Sequence, residues 1–310
     1  SETREEDFIE YIYPASMHNY MLFFTQKGKC YWLKVYEIPE GAKNSKGRAI
    51  QNMLNIDADD KVNAFIRVKQ LQDPEYNMSH NLLFCTRKGV IKKTKLEAYS
   101  RPRQNGVNAI TIREDDQVIQ VRLTTGDSQI IMANKHGRAI RFHESTVREM
   151  GRTATGVRGM TLDETGDDEV IGMICIKDPE KETVMVVSEQ GYGKRSEIED
   201  YRITNRGGKG VKTLNITEKT GNLVAIKSVT DENDLVIINK SGITLRMKVA
   251  DVRIMGRATQ GVRLINLEKR NDEIASVCKV LSETESDSSN SENIDSASEI
   301  NEAEASETTE

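Results

Sequence analysis

The stretch Val236-Ile237-Ile238-Asn239-Lys240-Ser241-Gly242-Ile243-Thr244-Leu245-Arg246-Met247-Lys248-Val249 decides the fold. An apolar run leads through a short polar turn to a glycine. Beyond it Ile243, Leu245, Met247 and Val249 alternate with Thr244, Arg246 and Lys248, the period-2 pattern of a half-buried strand. The same run, turn and glycine recur upstream, ending at Gly28, Gly89, Gly137 and Gly191, at intervals of 61, 48, 54 and 51 residues. A second glycine follows each turn at Gly47, Gly106, Gly156, Gly210 and Gly261, 17 to 19 residues further on. Next come apolar-polar-apolar triplets, Ile110-Thr111-Ile112, Met160-Thr161-Leu162, Leu214-Asn215-Ile216 and Ile265-Asn266-Leu267, which predict a third strand.

A fourth apolar stretch, often after an acidic turn, closes each unit. It begins near Phe8, Val62, Val118, Val170, Leu223 and Ile274, so six closing stretches stand against five glycine hairpins. The chain is therefore expected to start partway through a repeat. Four strands in a repeat of about 50 residues predict an all-β, six-bladed propeller-like ring whose first blade is incomplete. A β-solenoid or a pair of β-sandwiches is the alternative. The predicted domain covers residues 1–281.

Residues 282–310 read differently. They hold ten acidic residues and no Lys or Arg, with Ile294 and Ile300 as the only large apolar side chains. Such a segment buries too little surface to offset its ordering entropy, so a disordered acidic tail is expected. The whole chain has 44 basic and 49 acidic residues; without the tail the acids number 39 and the remainder carries +5. No apolar run approaches the roughly 18 residues of a membrane span, and the Ser1-Glu2-Thr3-Arg4 start lacks a signal peptide's apolar core. The expectation is a soluble, intracellular piece of a longer protein with no membrane partner.

Catalytic and cofactor patterns fail on inspection. Cys30, Cys85, Cys175 and Cys278 lie far apart beside apolar stretches and read as reduced core thiols rather than disulfides or zinc ligands. His18, His80, His136 and His143 have no metal spacing and read as turn or surface residues. Gly207-Gly208-Lys209-Gly210-Val211-Lys212-Thr213 ends like a phosphate loop, but such a loop needs glycine directly before the lysine, where Val211 stands. Gly191-Tyr192-Gly193 lies inside a hairpin, not between strand and helix, so it makes no dinucleotide site. The pairs Asp59-Asp60, Asp115-Asp116 and Asp167-Asp168 share one repeat position and read as turn residues. No cofactor, metal or catalytic residue is implied.

The basic residues have a pattern. They gather in the second hairpin strand and the loop before the second glycine. The first unit offers Lys43, Lys46 and Arg48, and the second Lys92, Lys93, Arg101 and Arg103. The third offers Arg138, Arg141, Arg148, Arg152 and Arg158. The fourth offers Lys194, Arg195, Arg202, Arg206, Lys209 and Lys212, and the fifth Arg246, Lys248, Arg253, Arg257 and Arg263. One blade position repeated around a ring becomes a basic stripe. Such a stripe can neutralise successive phosphates of duplex DNA and gain affinity from counterion release. Loops of Gly, Arg and Lys suit contact with the DNA backbone rather than base readout or stacking on single strands.

At Gly151-Arg152-Thr153-Ala154-Thr155-Gly156-Val157-Arg158-Gly159, its later copy Gly256-Arg257-Ala258-Thr259-Gln260-Gly261-Val262-Arg263, and Gln190-Gly191-Tyr192-Gly193-Lys194-Arg195, the chain resembles the C-terminal domain of the DNA gyrase A protein. The resemblance runs from about Arg4 to Leu281. It implies a six-bladed β-pinwheel whose neighbouring blades exchange strands and whose basic perimeter wraps DNA. The family module serves ATP-driven negative supercoiling within an A2B2 assembly of gyrase A and gyrase B, in the cytoplasm. The family's signature Gln-Arg-Arg-Gly-Gly-Lys-Gly loop belongs to the first blade, upstream of this chain. The nearest match is a related loop, Arg206-Gly207-Gly208-Lys209-Gly210. The catalytic tyrosine and ATP site of gyrase belong to other domains. The topoisomerase IV counterpart is a rival that five well-matched hairpins and an acidic tail disfavour, and a scaffold binding an acidic protein is a reading from another class.

Overall fold

The computed structural model describes residues 16–41, 47–267 and 271–281, which form five blades where the sequence predicts six with the first incomplete. The closing stretch expected near Phe8 and the acidic tail lie outside the described residues. Blade one holds the hairpin β1 (Tyr20–Thr25) and β2 (Lys29–Lys34) with β3 (Val62–Val68). A short helix, α1 (Pro74–Ser79), leads into blade two: β4 (Asn81–Thr86), β5 (Val90–Lys95) and, after the two-residue β6 (Val107–Asn108), β7 (Val118–Thr124). Blade three has β8 (Gln129–Asn134), β9 (Arg138–His143), then β10 (Val157–Arg158) and β11 (Val170–Ile176). Blade four has β12 (Thr183–Ser188), β13 (Tyr192–Glu197), β14 (Val211–Lys212) and β15 (Leu223–Val229). Blade five has β16 (Asn233–Asn239), β17 (Thr244–Lys248), β18 (Val262–Arg263) and β19 (Ile274–Leu281).

The short strands do not pair in their own blades. β6 pairs with β2, β10 with β5, β14 with β9 and β18 with β13, so each of the first four sheets has four strands, the outermost lent by the following blade. The fifth sheet, β17-β16-β19, has three. This places the lent strands three residues before the predicted triplets. Ile110, Met160 and Leu214 instead plug the core, each at most 2 % exposed.

Packing against blades on both sides explains why the central positions of the first hairpin strands are continuously apolar. Consecutive residues of a strand point to opposite faces, and here each face meets a neighbouring blade. Leu82 and Phe84 pack with Leu22, Phe24 and Tyr99 on one side, while Leu83 and Cys85 pack with Ile130, Met132 and Phe142 on the other. Val184 and Val186 join Ile131 and Ile174, and Met185 and Val187 join Leu235 and Ile237. β3, β7, β11, β15 and β19 line the hub. All four cysteines are free thiols, three of them buried. Desolvation among its neighbours pushes the thiol of the fourth, the half-buried Cys175, up to about 12.

The paired acids are turn residues. Asp60, Asp116 and Asp168 each accept the N–H of the residue that follows, and Asp60 and Asp116 also take the hairpin-turn N–H groups of Lys27 and Lys88.

The turn glycines carry a second constraint. The carbonyl of Gly137 accepts from Thr213 at 2.8 Å, and a Cβ on Gly137 would lie 2.5 Å from the Leu214 carbonyl oxygen in the next blade. Gly28, Gly89 and Gly191 meet Ile110, Met160 and Ile265 in the same way, whereas a Cβ on Gly242 meets nothing within 4 Å. Gly137 and Gly242 share φ near +85°. Gly242→Ala should therefore cost about 1 kcal/mol for the left-handed backbone alone. Gly137→Ala should cost about 3 kcal/mol or more, because backbone must also move. Denaturant titration of the two variants checks this, with equal losses contradicting it.

Candidate nucleic-acid interface

The predicted basic residues divide into three groups by what their charged ends touch. The first is buried. In the first four blades the residue four positions after the turn glycine reaches into the next blade and donates to carbonyls there. Trp32 Nε1 donates to Tyr99 (2.9 Å), Lys93 Nζ to Glu144 (3.2 Å), Arg141 Nη1 to Ile198 (3.1 Å) and Tyr201 (2.8 Å), and Arg195 Nη1 to Val249 (3.3 Å). In blades two and four the residue three positions after the glycine does similar work. Lys92 Nζ donates to the carbonyls of Ala109 (2.6 Å) and Arg152, and the loop Gly256–Thr259 folds around Lys194 Nζ, which donates to Gly256 (3.0 Å), Arg257 and Thr259 (2.8 Å). Lys92, Lys93, Arg141, Lys194 and Arg195 are at most 7 % exposed. The expectation that they contact DNA is corrected: their buried polar ends are satisfied within the protein, by carbonyls of the following blade, by Gln129 for Arg141, and by Thr183 and Asp231 (2.7 Å) for Arg195. Trp32 is the uncharged member of this set, and a search of the sequence for charge passes over it.

The second group clamps the rim from half-buried positions. Arg152 Nη1 donates to the Asn108 carbonyl, Arg206 Nη1 to Arg158 (3.0 Å) and Arg257 Nη1 to Lys212. The acceptors are the second residues of β6, β10 and β14, so three arginines grip one repeated position. Arg206 Nε also holds the Thr146 carbonyl (3.1 Å), and Arg257 Nε that of Asp200 (3.0 Å). Arg138, although exposed, joins them through Lys209 (3.3 Å) and Gly210 (2.7 Å).

The third group faces solvent. Arg158, Lys212 and Arg263 are exposed at the second positions of β10, β14 and β18, on the outermost strand of each sheet. Arg263 lies over the Tyr192 ring (5.5 Å) and donates to its hydroxyl (3.0 Å). Arg148, Arg202 and Arg253 form a second exposed row on the loops just before them. Arg48, Arg101, Arg103, Lys209 and Lys248 are exposed as well. Arg246 is ion-paired with Asp234 (2.8 Å). Lys43 and Lys46 lie outside the described residues. Of the two rows, Arg202 lines a groove of about 560 Å³ between blades three and four, together with Arg138, Arg206, Lys209 and the glycines of the box-like loop, Gly208 and Gly210. Gly207 in that loop takes φ near +91° and donates its N–H to the Gly159 carbonyl (2.7 Å).

Successive four-stranded blades joined by exchanged strands define a β-propeller of the pinwheel kind, and the DNA gyrase C-terminal domain is described as a β-propeller. The family profile of that description matches residues 19–69, 80–125, 128–177, 182–230 and 233–278, one segment per blade, and the chain belongs to this family. It is 44 % identical over 290 residues to the DNA gyrase A protein of Staphylococcus aureus strain NCTC 8325, covering 94 % of this chain and 32 % of that protein. With the counterpart from strain MRSA252 it shares 47 % over 265 residues, 86 % of this chain and 29 % of that protein. The chain thus spans about a third of the length of those relatives. Among solved structures, a DNA topoisomerase IV C-terminal domain superposes with TM-score 0.75 at 26 % identity, over 86 % of this chain and 80 % of that one. A DNA gyrase A C-terminal domain superposes with TM-score 0.73 at 25 % identity, over 86 % and 84 %.

Burial, reinforced by the nearby Arg152 guanidinium, lowers Lys92 to about 7. From about pH 7 to the ordinary lysine range the unfolded chain holds a proton that the folded chain has released, so this group adds stability as pH rises through that window. Below about pH 7 both states are charged and its contribution is flat. Lys92→Met removes the titrating group. The stability of wild type relative to this variant should therefore grow between pH 6 and pH 10, measured from denaturation midpoints, and a difference that stays constant or shrinks would contradict the assignment.

Proposed function

We propose that this domain binds, bends and wraps duplex DNA along its outer rim, as the C-terminal module of a gyrase A protein supporting ATP-dependent negative supercoiling. The observation that carries this reading is the pair of exposed cationic rows, Arg148, Arg202 and Arg253 beside Arg158, Lys212 and Arg263, each repeating blade by blade on the outermost strands and loops. Phosphates also repeat at regular intervals, so a curved row of cations engages many of them at once and releases their counterions. Among the large exposed apolar residues Tyr36 is the only aromatic in the described part of the chain, which favours backbone contact over base stacking. Smooth bending of a 20–30 bp segment costs about 1–6 kcal/mol, within reach of several phosphate contacts. The partners in this reading are duplex DNA, the remainder of gyrase A, and gyrase B, in the cytoplasm.

Incubation with relaxed plasmid and a nicking-closing enzyme tests the reading. Wrapping shifts the linking number in proportion to bound protein; an unchanged distribution supports a protein scaffold instead.

The three groups of cations should separate in mutants. Arg158→Ala, Lys212→Ala and Arg263→Ala together should lower the slope of log affinity against log salt by about 2–3, near 0.9 for each phosphate no longer neutralised. Arg152→Ala and Arg257→Ala should instead lower folding stability by about 1–3 kcal/mol each, the range for hydrogen bonds from charged donors. Salt titrations and denaturation midpoints on both sets discriminate them, and a reversed pattern would move the clamps to the DNA surface.

A further inference from the structure

Ile203 and Ile254 are 60 % and 43 % exposed, among the few large apolar side chains in the described residues that face solvent. They occupy one structural position in successive repeats. Ile203 forms a parallel bridge with Arg141, and Ile254 with Arg195, each beside the outer hairpin strand of the preceding blade. Thr204 N donates to the Arg141 carbonyl and Met255 N to the Arg195 carbonyl, both at 2.8 Å. The supporting arginines are themselves anchored in the next blade through Ile198, Tyr201 and Val249. Each isoleucine is thus fixed on a rigid backbone and directly follows an exposed cation, Arg202 or Arg253. The third member of the position is Glu149, bridged to Lys93 and ion-paired with Lys95 (3.0 Å).

Single exposed apolar residues are common on protein surfaces and need no function. A β-branched side chain repeated at one anchored rim position, flanked each time by an arginine, is a more particular arrangement. Its stiff χ1 presents the same apolar tip without reorganisation. Proteins that bend duplex DNA use such tips, set among cations, to part a base step and kink the helix.

We propose that Ile203 and Ile254 act as wedges that enter a base step of the bound duplex from the minor groove while Arg202 and Arg253 hold the flanking phosphates; the proposal rests on the DNA-binding reading above. Pyrimidine–purine steps unstack most readily, so the wedges favour TA and CA/TG steps, and the rim acquires a preference for where the duplex kinks without reading base edges. Glu149 at the equivalent position repels phosphate and inserts nothing, so the kinks fall at two places rather than at every blade.

The test uses the whole chain and a duplex with dyes at both ends and 2-aminopurine in a single central TA step. Wild type should raise 2-aminopurine fluorescence several-fold over the free duplex and bring the ends together. Ile203→Ser with Ile254→Ser should keep affinity within about three-fold, with the same salt slope, and lose the fluorescence rise. Ile203→Leu with Ile254→Leu should retain it. Glu149→Ile should add unstacking that the charge control Glu149→Gln does not. An undiminished rise in the serine variant would overturn the wedges while leaving DNA binding intact. Absence of any duplex binding by wild type would overturn both readings, and the affinity measurement tells the two failures apart.

Discussion

The close approach between the turn glycine of one blade and the backbone of the next governs the rest of this structure. A two-residue strand such as β10 or β14 has too few ladder hydrogen bonds to hold itself in place. It is held because the residue after it, Gly159 or Thr213, donates to the carbonyl of Gly89 or Gly137 at 2.8 Å, which requires a turn with no Cβ in the way. Once that register is set, the neighbouring positions of the outer strand fall opposite the loops of the following blade. A lysine, arginine or tryptophan there then donates to carbonyls of that blade.

This arrangement gives basic residues two opposed roles within a few positions of one another. Lys194 and Arg195 lie inside, their hydrogens spent on Gly256, Arg257, Thr259 and Val249. Arg253 and Arg263, from the loop and strand that cover them, lie outside. Fixed interior charges stiffen the loops that present the exterior ones. A charged group donating to several carbonyls is a costly but specific pin, as the lowering of Lys92 to about 7 and of Lys194 to about 8 by burial shows. The rim therefore offers its cations on a preformed surface, which reduces the ordering cost of any polyanion that binds there.

Much of this is legible in the sequence and some is not, for definable reasons. The glycine spacing and the apolar runs at Leu82–Cys85 or Val184–Val187 expose the repeat directly, because turn geometry and two-sided burial both leave residue-level marks. The lent strands leave none. Two residues cannot show a period of two, and the triplets beginning at Ile110 and Met160 imitate a strand while serving as core plugs. The buried cations mislead because a lysine or arginine in an alternating strand ordinarily marks the solvent face. The signal that distinguishes them is position: Lys92, Lys93, Arg141, Lys194 and Arg195 all fall three or four residues after the turn glycine, whereas Arg148, Arg202 and Arg253 precede the second glycine. Two of the clamps, Arg152 and Arg257, belong to the glycine-arginine loops that carry the family resemblance, so part of what marks the family is joinery rather than contact surface.

Because the first four blades each borrow their outer strand, stability depends on the junctions as well as on the blades. Five blades here share four such junctions. The chain then behaves as a one-dimensional cooperative lattice, in which nearest-neighbour coupling adds to what each blade holds alone. An interior blade takes part in two junctions, while among the described residues blade one, which lends no strand, and blade five, whose β17 receives none, each take part in one. A load applied along the rim by a stiff, bent polymer is accordingly relieved first at an end of the described array, leaving the interior register untouched.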